Sequence, residues 1–96
     1  MELSDDTGTR VHVVVRGRVQ GVFFRATIAD EADRRGVTGW ISNRPEGAVE
    51  AEFQGPADQV DAVVEACHRG SQQSRVEDVS VTPTDPLNDA HSFKVR

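Results

Sequence analysis

The sequence predicts a small α+β sandwich in which two helices cover one face of a mostly antiparallel sheet. Its 96 residues, 36% of them hydrophobic and 28% charged, suit one soluble domain with a single core. Segments with alternating apolar residues are interrupted twice by segments with helical periodicity. Glycine or proline stands at most of the boundaries between these segments.

The amino-terminal half begins with a strand and a helix. Residues 1–9 are acidic and lack an apolar segment, so we expect a solvated tail. A strand is predicted at residues 10–16, where alternate valines share one face: Val11, Val13 and Val15. A helix is predicted at residues 23–35, where apolar residues recur every four positions: Phe24, Ile28 and Ala32. Gly36 follows as its stop, because glycine readily adopts the left-handed conformation found after helices.

A β-hairpin follows the first helix. Its strands are predicted at residues 37–43 and 48–54, and the short connection between them makes the two antiparallel. The second of these strands alternates apolar with acidic residues. Its inward-facing side chains are Val49, Ala51 and Phe53.

The carboxyl-terminal half predicts a second helix and two more strands. The helix opens with Pro56 at its first position and ends at Gly70. Its apolar stripe has the helical spacing i, i+3, i+4 and i+7: Val60, Val63, Val64 and Cys67. Strands are predicted at residues 76–82 and 91–96. On the first of these, Val79 and Val81 are expected as a pair on one face, and on the second, Phe93 and Val95 are expected to face inward. The order β-α-β-β-α-β, with a short extra strand, is that of ferredoxin-like domains.

Charge and cysteine content exclude several classes of function. Eleven basic residues stand against 16 acidic ones, so nucleic acid or an anionic membrane would meet a repulsive average field. The single cysteine, Cys67, excludes an intramolecular disulfide framework and a multi-cysteine metal cage. With no secretory signal or membrane-spanning run in the sequence, we expect a cytoplasmic monomer that binds neither nucleic acid nor membranes. The shortage of lysine fits either a high-salt habitat or a genome rich in arginine codons.

The predicted topology places a glycine-bracketed loop beside the end of the second strand. The first two strands are joined through a helix, so they run parallel and their carboxyl ends lie at one edge of the sheet. The loop from Gly17 to Gly21, the amino terminus of the first helix and Asn43 should converge there. Arg25 lies in the first helical turn, where the helix dipole disfavours a cation, and this indicates a function. Convergent main-chain N–H groups beside a guanidinium are typical of a phosphate site.

Two motifs resemble the signatures of the acylphosphatase family. The first is GRVQGVFFR at residues 17–25, and the second is GWISN at residues 39–43. The resemblance extends over about the whole span of residues 10–96. It implies hydrolysis of the carboxyl–phosphate bond of small acyl phosphates to a carboxylate and inorganic phosphate. Water is the nucleophile in that family, and the resemblance implies neither a metal nor an organic cofactor.

The resemblance also implies roles for particular residues. Arg25 would bind the phosphate, and Asn43 would orient the attacking water. Backbone groups of a single loop would hold the phosphate oxygens: Arg18, Val19, Gln20, Gly21, Val22 and Phe23.

Other interpretations stay open at this point. Arg25 could pair with Asp30 or Glu31 along the helix instead, and Asn43 could be a turn residue before Pro45. A nucleic-acid-binding module of the same topology would display aromatic residues on the open sheet face. A metal carrier would need a pair of closely spaced cysteines, which this chain lacks. A small-molecule regulatory domain or a noncatalytic protein that binds acyl phosphates is a further alternative.

Overall fold

The computed structural model describes residues 8–96. The elements in that range follow one another as β1 (Thr9–Arg18), α1 (Phe24–Arg34), β2 (Thr38–Asn43), β3 (Val49–Gly55), α2 (Ala57–Arg69), β4 (Arg75–Thr84) and β5 (Phe93–Val95). This order confirms the predicted α+β ferredoxin-like fold with a short extra strand. The predicted tail lies outside the described residues except for its last two, of which Thr9 already pairs with Gly55.

The five strands form one mixed sheet in the order β4-β1-β3-β2-β5. β3 lies in the centre and is antiparallel to both β1 and β2. β1 and β2 therefore run in the same direction on either side of β3, as predicted. β4 is antiparallel to β1, and β5 is parallel to β2. The carboxyl ends of β1 and β2 consequently lie at the same edge of the sheet.

The core lies between the helices and one face of the sheet. On that face β1 and β3 are paired so that Val13 is opposite Ala51 and Val11 is opposite Phe53. The buried residues of the helices match the predicted stripes except that Ala66 is buried and Val64 only partly so: Phe24, Ile28, Ala32, Val60, Val63 and Cys67. Burial raises the pKa of the Cys67 thiol to about 12, so this side chain packs as an inert apolar group.

Two valines on the edge strands are about half exposed. Val95 on β5 and Val81 on β4 are 52% and 43% exposed, although Phe93 and Val79 on the same strands pack against the core. β4 and β5 are the edge strands of the sheet. The alternating pattern sets which face of an edge strand a side chain lies on, but the helices cover less of that face there than at the central strands. Val95, predicted to face inward, is therefore not buried in the core, whereas for Val79 and Val81 the sequence predicted only a shared face.

Pro56 also differs from the prediction. It is the N-cap of α2, with φ −56° and ψ 141°, and does not occupy the first helical position. The extended ψ of the N-cap turns the chain from β3 into the helix.

The open face of the sheet carries polar side chains that are paired across strands. Arg10 is 5% exposed; its guanidinium donates to Glu52 Oε1 at 2.8 Å and to Gln54 Oε1 at 2.9 Å. His12 Nε2 lies 2.6 Å from a carboxylate oxygen of Glu50. These cross-strand pairs between β1 and β3 cover the face that the helices leave open. No helix within residues 8–96 is both long and apolar enough to cross a membrane.

Candidate active site

A cavity of about 360 Å³ lies where β1 and β2 end and α1 begins. Its lining combines one guanidinium and one carboxamide with apolar residues and a glycine: Val19, Gly21, Phe23, Phe24, Arg25, Ala26, Asn43 and Val95. The structure thus brings Arg25 and Asn43 to the same cavity, although 18 positions separate them in the sequence. The reason is that β1 and β2 run in the same direction. Arg25 follows β1 and Asn43 ends β2, so both residues lie at the same edge of the sheet.

The loop between β1 and α1 turns sharply through left-handed backbone conformations. Gly21 has φ 72°, a value that glycine adopts without steric cost. Phe23, the N-cap of α1, has φ 64° and ψ 19° and provides no side-chain cap. The N–H groups in the first turn of α1 therefore have no partner within the helix. They lie at the cavity together with the positive end of the helix dipole, which favours an anionic ligand.

Arg25 is oriented by a main-chain oxygen beyond the last strand. Its Nη1 donates to the main-chain oxygen of Arg96 at 2.5 Å. Arg96 is itself anchored to β2: its N–H donates to Ile41 O at 2.8 Å, and its guanidinium carbon lies 4.7 Å from the centre of the Trp40 ring. These contacts fix the direction of the Arg25 guanidinium.

The alternative ion pairs of Arg25 do not form. Asp30 contacts Arg34 at 3.3 Å, and Glu31 contacts Arg34 at 2.6 Å and Arg35 at 2.5 Å. The arginines in the last turn of α1 hold the pKa of Glu31 below its usual value, chiefly through the hydrogen bond from Arg35. Both carboxylates therefore belong to the far end of the helix.

Asn43 is the last residue of β2 and pairs with Val49 on β3. The hairpin that follows it is tied to the β1–α1 loop by Gln20. The side-chain Nε2 of Gln20 donates to Arg44 O at 2.7 Å and to Ala48 O at 2.9 Å. One side chain therefore links the loop on one side of the cavity to the turn that carries Asn43 on the other.

The predicted loop residues occupy three kinds of position. Val19, Gly21 and Phe23 line the cavity. Arg18 ends β1 with an exposed side chain, Gln20 forms the bridge to the hairpin, and Val22 is buried beneath the loop. Their backbone contacts with phosphate stay a prediction.

Two contributions to the site were not predicted. Val95 lines the cavity from β5, and the Arg96 main-chain oxygen holds Arg25. The alternation along β5 placed Val95 on the inner face, but no pattern of residue types signals a main-chain oxygen as an acceptor. Trp40, in the second motif, lies outside the cavity lining and stacks with Arg96.

The arrangement suits the binding of an oxyanion more than proton transfer. Every side chain that lines the cavity is apolar, a guanidinium or a carboxamide, apart from glycine. A guanidinium donates and cannot be deprotonated in a protein, and a carboxamide can hold a water without acting as a base. The cavity thus offers positive charge, N–H donors and one group that can orient water.

Comparisons with known proteins agree with one another. The family model for acylphosphatases matches residues 11–95. A Haloquadratum walsbyi protein named acylphosphatase is 53% identical over 81 residues, which is 84% of this chain and 87% of that protein. One from Haloarcula marismortui with the same name is 50% identical over 88 residues, covering 92% and 96% of the two chains. The crystal structure of acylphosphatase from Bacillus subtilis is similar with a TM-score of 0.88 at 41% identity, over 92% of this chain and 98% of that one.

Proposed function

The chain belongs to the acylphosphatase family and is an acylphosphatase, and we propose that it hydrolyses small acyl phosphates in the cavity shared by Arg25 and Asn43. The observation that carries this proposal is the placement of both side chains in one cavity at the open amino terminus of α1. Arg25 and the main-chain N–H groups of the loop and first helical turn bind the phosphate oxygens. Asn43 holds the attacking water. A cytoplasmic monomer stays our expectation from the sequence.

The reaction needs positioning and charge stabilisation more than acid–base catalysis. The water oxygen attacks phosphorus, the bond from phosphorus to the acyl oxygen breaks, and its electron pair leaves with the carboxylate. A carboxylate is a good leaving group, so no general acid is needed to expel it. The guanidinium of Arg25 and the N–H donors stabilise the charge on the phosphate oxygens in the transition state. The guanidinium is directed at the site before substrate arrives, because Arg96 O holds it in place.

The attacking water loses its proton to the substrate. The Asn43 carboxamide can accept a hydrogen bond from the water and align it with phosphorus, but it is too weak a base to deprotonate it. No carboxylate or imidazole among the described residues lines the cavity. We therefore assign the proton to a phosphate oxygen of the substrate. A pH–rate profile that follows the ionisation of a histidine or carboxylate of the enzyme would contradict this assignment.

The test measures hydrolysis of benzoyl phosphate in the presence of a chelator. Arg25→Ala is expected to lower kcat/KM by about 10³-fold or more, since it removes the cation that stabilises the transferring phosphate. Asn43→Ala is expected to lower it by roughly 10²-fold through loss of the oriented water. The matched controls are Arg34→Ala, at the far end of the same helix, and Asn88→Ala, in an exposed loop. Both controls should stay within about twofold of the parent.

Two outcomes would overturn the proposal. Activity that survives both Arg25→Ala and Asn43→Ala would show that the chemistry lies elsewhere. Activity that disappears with chelator would refute the metal-independent mechanism.

A further inference from the structure

Much of the cavity has no part in the phosphate chemistry. Apart from Arg25 and Asn43, the residues that line it are apolar or glycine. A single water needs roughly 10–15 Å³ of cavity space, so the cavity of about 360 Å³ has room for much more than a phosphate group. The lining around the remaining space is mostly apolar.

Folding removes little of the Phe23 ring from water. The side chain is 72% exposed, and the left-handed backbone at this position is costly for a residue with a bulky side chain. Thr27 stabilises the conformation: its N–H and its hydroxyl donate to the Phe23 carbonyl oxygen at 3.0 and 2.9 Å. A strained backbone that presents an exposed ring at the mouth of a cavity indicates a contact with a ligand.

Val95 faces the same cavity from the edge strand. It pairs with Ile41 on β2, whose side chain is fully buried, yet Val95 is 52% exposed. Its exposed surface borders the cavity that Phe23 also lines. We call these two side chains, Phe23 and Val95, the acyl wall.

We propose that the acyl wall binds the acyl group of the substrate and selects apolar, ring-bearing acyl phosphates over acetyl phosphate. This inference rests on the proposed function, because the phosphate must be held at the amino terminus of α1 for the acyl group to occupy the remaining space. A phenyl ring can stack on or lie edge-to-face against Phe23 and removes apolar surface from water. An acetyl group offers one methyl, and a charged acyl group would lose hydration against carbon.

The test compares kcat/KM for benzoyl phosphate and acetyl phosphate in the parent and in variants of the acyl wall. Phe23→Asn removes the ring with a residue that tolerates the left-handed conformation. Val95→Thr keeps the shape and replaces a methyl with a hydroxyl. The matched control is Val81→Thr, the same change at a residue of similar exposure on the opposite edge strand. Comparing each ratio with that of the parent cancels the difference in intrinsic reactivity between the two substrates.

We expect Phe23→Asn to lower the ratio of benzoyl to acetyl phosphate kcat/KM roughly tenfold and Val95→Thr to lower it about threefold. Val81→Thr should leave the ratio unchanged. A ratio that stays within about twofold of the parent in both wall variants would overturn this inference. The proposed function would still be upheld in that case, because both substrates would be hydrolysed. A parent that hydrolyses neither acyl phosphate would overturn the proposed function, and this inference with it.

Discussion

The bridge made by Gln20 predicts a catalytic defect in a protein that stays folded. Gln20→Glu keeps the shape of the side chain but removes the N–H group that donates to Arg44 O and Ala48 O, at 2.7 and 2.9 Å. Each hydrogen bond contributes about 0.5–1.5 kcal/mol, so the loss is about 1–3 kcal/mol for the pair. If that energy holds the loop against the hairpin that carries Asn43, kcat falls by roughly 5- to 140-fold, since each 1.4 kcal/mol is about tenfold.

The assay separates positioning from stability. Steady-state kinetics is run well below the unfolding temperature, alongside urea titrations and the inhibition constant for inorganic phosphate. Gln20→Met removes the same donors without adding charge, and Gln59→Glu adds the same charge on α2, where it keeps an acceptor for Arg35. We expect kcat to fall in both Gln20 variants and not in Gln59→Glu. A normal kcat with a lowered urea midpoint would refute a positioning role, because the bridge would then serve stability alone.

Four further predictions concern stability and the thiol. A Cβ on Gly39 would lie 1.9 Å from Glu52 O, so Gly39→Ala should lower the free energy of unfolding by about 3 kcal/mol or more in urea titrations. Gly47→Ala, at a left-handed position with open space around it, should cost about 1 kcal/mol, and equal urea midpoints would contradict this account. Cys67 should react with a thiol reagent at the rate of global unfolding, and fast modification of the native protein would show that it is not buried. Burial raises the pKa of Cys67 to about 12, so as the pH rises the unfolded state loses the thiol proton before the folded state does. The free energy of unfolding should therefore fall as the pH rises above about 9, and Cys67→Ala should lack this dependence.

The sequence predicted the fold well wherever burial alone determines the pattern. Alternating apolar residues on β1 and β3 and the four-residue spacing in α1 each reflect one face in contact with the core, and the structure confirms them. At the sheet edge the same pattern misled for Val95, since it sets the face of a side chain but contains no information on whether a helix covers that face. Whether a helix covers a given side chain depends on how the helices pack on the sheet.

The candidate site was predictable in part for a similar reason. Glycine spacing and chain topology were enough to place Arg25 and Asn43 at one edge, because the direction of β1 and β2 follows from the connecting helix. The bridge from Gln20 and the contact of Arg25 with Arg96 O could not be predicted. Each joins a side chain to a main-chain oxygen far away in the sequence, and every residue type supplies such an oxygen.

The open face of the sheet bears on the nucleic-acid alternative. An RNA-recognition domain stacks bases on aromatic side chains of that face. Here Arg10 and His12 are paired there with carboxylates of β3. Trp40, which lies 6.3 Å from the His12 ring, is itself covered by the guanidinium of Arg96. The surface that would receive bases is therefore already occupied by these paired side chains.

The shortness of β5 links catalysis to heat tolerance. This strand has three residues, at the margin of the sheet, and such peripheral segments fray before the rest of a domain melts. The main-chain oxygen of Arg96, which steadies the Arg25 guanidinium, lies one residue beyond it. Warming would loosen that restraint first, so turnover would decline while the bulk of the sheet and both helices were still intact.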